Sequence, residues 1–281
     1  MQICRSISDC RATLATFRAN GARIGMVPTM GYLHEGHLSL VDIARAQADR
    51  VIVSIFVNPS QFGEAADLDA YPRNETRDLA LLKAAGVDVV FMPDVATMYP
   101  EGDETIVETT RLANMLHGEV RPGHFRGVST VVTRLFNIAQ PDVAVFGEKD
   151  YQQLQVIKRM VSDLHIPVDI IGGPTVREPD GLAMSSRNVR LSKDDRADAS
   201  VLSRALNAAQ AEALAGATVE SLQKLISDMI ADVPSARLTG LDIVAAETLN
   251  PLTGPLTGPT AIMISAAFGD VLLIDQKVVS P

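Results

Sequence analysis

Residues 23–37 read Arg-Ile-Gly-Met-Val-Pro-Thr-Met-Gly-Tyr-Leu-His-Glu-Gly-His, and their two halves have different periodicities. The stretch 23–28 is apolar after Arg23 and closes on Pro28, the pattern of a strand covered on both faces. From Leu38 the apolar positions Val41, Ala44 and Ala48 follow at helical spacing. Val51–Val57 is then a β-branched and aromatic run stopped by Asn58-Pro59, a second strand and a turn. Strand, helix and strand in this order imply a parallel pair. The decapeptide Pro28–His37 therefore lies at the carboxyl end of a strand and opens a helix, where parallel sheets bind ligands.

The alternation continues outward. Helices are expected at 74–85, 128–139 and 151–164, and strands at 87–92, 143–146 and 168–172. The expected fold is α/β: a Rossmann-like, doubly wound parallel sheet over 1–176. From 177 the style changes. A polar stretch at 177–190 is followed by helical patterns at 193–215 and 218–232 and strand-like runs at 241–246, 260–267 and 271–274. This predicts a second, smaller α+β domain over 177–281.

Composition narrows the function. Of 281 residues 47% are hydrophobic, enough for such a core, and the net charge of −9 leaves no general footprint for nucleic acid or anionic lipid. A polyanionic ligand needs a local cluster of donors instead. The apolar runs are too short to span a bilayer and no secretory leader is visible, so a cytoplasmic protein is expected. Cys4 and Cys10 lack zinc spacing and are read as reduced thiols.

The helix start after the first strand suits phosphate, because its N–H groups and partial positive charge face an anion. Gly36 lets a ligand approach the backbone, and His34 and His37 project from one helical turn. Two imidazoles there can stabilise charge that develops on phosphate oxygens. Gly31 and Gly36 have P-loop spacing, but His37-Leu38 replaces the Lys-Ser/Thr pair, and no Gly-x-Gly-x-x-Gly is present. His-x-x-His has no third metal ligand at useful spacing.

His34-Glu35-Gly36-His37 resembles the His-x-Gly-His signature of the nucleotidylyltransferase superfamily. The longer Pro-Thr-Met-Gly-x-Leu-His-x-Gly-His block resembles the pantothenate synthetase family, the pantoate–β-alanine ligases. Further blocks extend the resemblance over essentially the whole chain. Phe56-Val57-Asn58-Pro59-Ser60-Gln61-Phe62 and Phe146-Gly147-Glu148-Lys149-Asp150-Tyr151-Gln152-Gln153 each follow a strand. Met184-Ser185-Ser186-Arg187-Asn188 is similar to the superfamily's Lys-Met-Ser-Lys-Ser loop.

The resemblance implies ATP-dependent joining of (R)-pantoate to β-alanine through a pantoyl adenylate, with release of AMP and pyrophosphate. It places Met30, Gly31, His34, Gly36, His37, Gly147, Glu148, Lys149, Asp150, Val176, Met184, Ser185, Ser186 and Arg187 around ATP. Of these, His34, His37, Lys149, Ser185, Ser186 and Arg187 carry the catalytic charge stabilisation. Gln61 and Gln153 would hold pantoate, with β-alanine also at Gln61. Mg²⁺ is expected through the ATP phosphates rather than through a protein cage. The family also implies a homodimer, with no nucleic acid or membrane partner. His117, His124 and His165 receive no catalytic role. Two other classes compete: a transferase that leaves its nucleotide on an alcohol phosphate, and a nucleotide-binding module without turnover.

Overall fold

A computed structural model describes residues 1–63 and 68–280. The chain divides into two compact units: Met1–Gly147 with Val156–Gly173, and Glu148–Gln155 with the residues from Pro174 onward. The division at 176/177 expected from sequence is a single cut, whereas each unit here is made of two chain segments.

In the first unit the elements are β1 (Gln2–Cys4), α1 (Ile7–Ala19), β2 (Ile24–Thr29), α2 (Glu35–Gln47), β3 (Arg50–Ile55), α3 (Glu75–Ala84) and β4 (Val89–Phe91). They continue through the short helices α4 (Val95–Met98) and α5 (His117–Val120), then α6 (His124–Ala139) and β5 (Val143–Gly147). Helix α7 (Tyr151–Asp163), which belongs to this unit from Val156 onward, leads to β6 (Asp169–Gly173). The strands form one parallel sheet in the order β1-β4-β3-β2-β5-β6. The chain winds outward from β2 through β3 and β4, then returns to place β5 and β6 on the other side of β2. This is the expected doubly wound arrangement, and its switch point lies between β2 and β5.

Pro28 does not end its strand. β2 runs on to Thr29 and stays paired with β3, Pro28 opposite Ser54. Its pairing with β5 covers only Gly25 and Met26, so the missing proline N–H falls where β5 has already parted from β2. The two strands thus separate towards their carboxyl ends. Beneath them Val27, Val53, Val90, Val143 and Val145 pack with Leu40, Val41 and Ala44 of α2 in a buried core.

Helix α2 begins at Glu35, inside the motif expected to open it, ahead of the apolar positions that start at Leu38. Two other sequence expectations for this unit are incomplete. Helix α6 begins at His124, four residues before the expected start. β1 and α1 lie outside the expected pattern: β1 has three residues, and α1 buries only Cys10 and Leu14, too thin a stripe to read as amphipathic.

The second unit contains α8 (Lys193–Asp198), α9 (Val201–Leu214), α10 (Val219–Ala231), β7 (Ala236–Ala245), β8 (Thr260–Phe268) and β9 (Val271–Val279). β7, β8 and β9 form an antiparallel sheet. Leu202, Leu206, Leu222 and Ile226 of the helices meet Ile262, Ile264 and Leu273 of the sheet. The single helix expected at 193–215 is two, broken at Ala199-Ser200. The polar Lys193–Asp198 segment stays at the surface while Val201, Leu202 and Ala205 turn into the core. β9 runs five residues past its expected end at Ile274. Its charged Asp275 reads as a strand stop in sequence, yet is buried and paired with Arg177 in the structure. Among the described residues no helix is long and apolar enough to cross a membrane.

Candidate active site

The motif predicted to meet phosphate occupies the carboxyl end of β2 and the first turn of α2. Between them the chain turns through left-handed backbone at Gly31 (φ 83°) and Tyr32 (φ 50°). Gly31 has no alternative there. A Cβ would sit 3.0 Å from Ile55 Cγ2 and 3.1 Å from Asp78 Oδ2, in a conformation that L side chains avoid. Thr29 accepts from the Gly31 N–H at 3.2 Å and donates to the Ser54 carbonyl at 2.7 Å, fixing where the turn leaves the sheet.

Asp78, on α3, holds the rest of the turn. Its buried carboxylate accepts from the backbone N–H of Tyr32 at 2.7 Å and of Leu33 at 2.8 Å. Charged acceptors for two buried N–H groups offset the strain of the turn. Arg77 completes the clamp, donating to the Leu33 carbonyl at 2.7 Å with its guanidinium 5.6 Å from the centre of the Tyr32 ring.

His34 follows as the extended N-cap of α2 (φ −141°, ψ 176°). Its backbone N–H donates to His37 Nδ1 at 3.3 Å, and the two ring centroids are 4.1 Å apart. An accepting Nδ1 leaves the proton of a neutral His37 ring on Nε2. His37 is thereby a helix cap on one side and an N–H donor on the other.

Gln61 lies in the turn Pro59–Gln61, capped by Asn58. Asn58 is buried, and its Nδ2 donates to Gln61 Oε1 and to the Gly127 carbonyl, both at 3.1 Å. Gln61 Nε2 donates to Met30 Sδ at 3.1 Å, tying this turn to the motif. His124 Nδ1 lies 2.8 Å from the Gln61 carbonyl oxygen, so the nitrogen is the donor. α6 comes this close only because residue 127 is glycine: a Cβ there would be 2.4 Å from the Ser60 carbonyl oxygen. The first unit thus brings Met30, Gly31, His34, Gly36, His37 and Gln61 together on adjoining segments. Gly147 ends β5 on the other side of the switch point.

In the second unit, Glu148, Lys149 and Asp150 form a single 3-10 turn packed against β9. Tyr151, next in the chain, donates its hydroxyl to the Ala246 carbonyl at 3.0 Å. Burial pushes the tyrosine pKa up, so this donor keeps its proton. Lys149 and Gln153 are half-buried and Asp150 is exposed.

Residues 176–184 form a tight hairpin. Met184 N–H donates to the Val176 carbonyl at 3.0 Å, and Arg177 pairs with Ala183. Arg177 makes a bidentate pair with Asp275 at 2.6 and 3.0 Å and donates to the Gly181 carbonyl at 3.1 Å. Val176 and Met184 are therefore neighbours, and Ser185-Ser186-Arg187 leave from the hairpin base. Ser185 Oγ accepts from Arg187 N–H at 3.2 Å, and Asn188 Nδ2 donates to the Ala183 carbonyl at 3.1 Å. Among the described residues no cluster of three His, Cys, Asp or Glu side chains could hold a metal. The donors in both units are hydroxyls, imidazoles, amides and cations, a set that suits phosphate oxygens better than a bare metal ion.

Sequence reading missed Arg77, Asp78 and the positioning roles of Asn58, His124 and Gly127. In sequence Asn58 reads only as a strand stop. Asp78 gives no local signal, because its partners lie more than forty residues upstream.

The family model for pantoate–β-alanine ligase matches residues 2–278. Pantothenate synthetases of Sinorhizobium medicae and Acetivibrio thermocellus are each 48% identical, aligned over 100% and 99% of this chain and 97% and 99% of their own length. Among solved structures, pantothenate synthetase from Thermus thermophilus superposes with a TM-score of 0.95 at 47% identity, covering 100% of both chains. The pantoate–β-alanine ligase of Francisella tularensis, complexed with beta-gamma ATP and beta-alanine, has a TM-score of 0.82 at 35% identity, covering 99% of this chain and 97% of that one. With nearly every residue inside the family model and the motif segments braced as described, the chain belongs to the pantoate–β-alanine ligase family.

Proposed function

We propose that this chain makes pantothenate from (R)-pantoate and β-alanine, using ATP to activate the pantoate carboxylate. Carboxylate is a poor acylating agent because oxide is a bad leaving group. Attack of its oxygen on the α-phosphorus forms a mixed anhydride, and the bond from that phosphorus to the β-phosphate oxygen breaks, releasing pyrophosphate. The β-alanine nitrogen then attacks the anhydride carbonyl. The carbonyl carbon–phosphate oxygen bond breaks, AMP leaves and the amine gives up a proton.

The observation that carries this reading is the His34–His37 pair, capped into the first turn of α2 at the carboxyl end of the central strand. An Nε2–H donor beside a helix N-terminus is placed to stabilise phosphate charge as the transition state forms. In this assignment Lys149, Ser185, Ser186 and Arg187 share that charge. Met30, Gly31, Gly36, Gly147, Glu148, Asp150, Val176 and Met184 surround the nucleotide. Gln61 and Gln153 hold pantoate, with β-alanine near Gln61. Mg²⁺ would be held through the ATP phosphates rather than by a protein cage, and would supply charge neutralisation to the pyrophosphate leaving group. The enzyme acts in the cytoplasm as a homodimer, which light scattering checks.

Exchange of labelled pyrophosphate into ATP tests the reading. It is expected with pantoate and Mg²⁺ alone. Exchange that appears only when β-alanine is added would rule out the two-step order, and a stable nucleotidyl product in place of AMP would rule out the ligase.

A further inference from the structure

Asn58 Oδ1 lies at the meeting point of three donors from two segments of the first unit. The Tyr99 hydroxyl is 2.7 Å away, the Ser60 hydroxyl 2.9 Å and the Ser60 N–H 3.3 Å. The Ser60 and Tyr99 hydroxyls are also 3.0 Å from each other. The Ser60 backbone N–H can only donate, so this atom is the oxygen, and Nδ2 faces the other way. There its two hydrogens are taken by Gln61 Oε1 and the Gly127 carbonyl. Gln61 Oε1 thus faces Asn58, which turns Nε2 the other way. Nε2 donates one hydrogen to Met30 Sδ, a weak acceptor, and carries a second.

From this chain of donors we infer that Tyr99 is a positioning residue. Through Asn58 it steadies the Gln61 amide in the orientation that offers Nε2–H to a carboxylate or hydroxyl oxygen of the substrate. The inference rests on the proposed role of Gln61 in holding pantoate.

Tyr99 is itself held firmly. The Arg134 guanidinium stacks 4.4 Å from the centre of its ring. Arg134 is fixed in turn by Asp103, at 2.7 and 2.8 Å, and by the carbonyl oxygens of Met98 and Thr105, at 2.5 and 3.0 Å. Burial pushes the Tyr99 pKa up, so the hydroxyl keeps its proton and remains a donor. Without it, Asn58 keeps the Ser60 N–H on Oδ1 and the Gly127 carbonyl on Nδ2 but loses the shortest of its bonds, so the Gln61 amide that leans on Nδ2 is held less firmly.

Tyr99→Phe removes the hydroxyl and keeps the stacked ring. Pantoate and ATP dependence of pyrophosphate exchange are measured for wild type, Tyr99→Phe, Gln61→Ala and the double variant, beside melting curves. In Tyr99→Phe the KM for pantoate should rise about 3–10-fold, the effect of one hydrogen bond, with the KM for ATP unchanged. In the Gln61→Ala background the same substitution should add nothing, because the amide it orients is gone. A normal pantoate KM in Tyr99→Phe, equal changes for both substrates, or additive effects in the double variant would overturn the positioning role while leaving Gln61 in place. A normal pantoate KM in Gln61→Ala would instead remove Gln61 from the pantoate site, and the inference with it.

Discussion

The backbone N–H of His34 donates to Nδ1 of His37 across 3.3 Å, so one imidazole caps α2 through Nδ1 and, when neutral, carries its proton on Nε2. The two duties can be separated by substitution. An asparagine amide reaches about as far as Nδ1 and a glutamine amide about as far as Nε2. His37→Ala should slow adenylate formation roughly 10²–10³-fold, the usual cost of one transition-state donor. His37→Gln should retain more of the rate than His37→Asn, while His37→Asn should melt closer to wild type. Single-turnover adenylate formation and melting curves measure both. An His37→Asn protein that forms adenylate at the wild-type rate would remove Nε2 from the chemistry. The second step, started from supplied pantoyl adenylate, should change little in any of the three.

Asp78→Asn replaces one of the two acceptors under the motif turn with a donor, facing an N–H. About 1–3 kcal/mol of stability should be lost, as for a buried hydrogen bond broken on one side. kcat should fall as well, because the turn sets the position of His34 and His37. Urea unfolding and steady-state rates check this. A variant of normal stability with a lowered rate would show that the carboxylate acts on the reactants and not through the turn.

Arg177→Met leaves the Asp275 carboxylate, 1% exposed, without its bidentate partner. Losing one member of such a pair costs about 3–5 kcal/mol, towards the lower end here because the arginine side is 27% exposed and water can reach it. The 176–184 hairpin also loses a tie to Gly181, so the KM for ATP should rise. Pairing Arg177→Met with Asp275→Leu should recover most of the stability. If the double variant is no more stable than the single one, the cost comes from the hairpin tie and not from the stranded charge.

Cys10 is buried, and desolvation aided by the neighbouring Cys4 pushes its thiol up to about 12. At pH 8 only about 10⁻⁴ of it is thiolate, the form that reacts. Iodoacetamide should therefore label Cys10 only after denaturant is added. Rapid labelling of the native protein, read by mass spectrometry, would show that α1 opens locally.

Strands β2 to β6 of the parallel sheet were legible because they are short apolar runs punctuated by Pro, Gly and Asn, with helices between them, whereas the three-residue β1 and the thin stripe of α1 were not. The second sheet was less legible, because Asp275 interrupts the pattern of β9 with a charge whose partner is 98 residues away. The same limit applies to the site. Residues inside a contiguous motif, such as His34 and His37, can be picked out from local spacing. Asp78 and Tyr99 act across 46 and 41 positions of chain, and nothing in their own neighbourhoods marks them. Gly127 could be recognised as part of a family block, but its reason for being glycine lies in the Ser60 carbonyl that it nearly touches.

That near-contact bears on how the protein can vary. In a saturation library selected for growth without added pantothenate, position 127 should score as intolerant as position 37, on the ground of backbone clearance alone. Alanine, the smallest change available, already places a carbon 2.4 Å from a backbone oxygen, and neither backbone segment can yield without moving Gln61 or the start of α6. A mutational map alone would mark Gly127 as part of the chemistry, when what selection preserves there is a clearance.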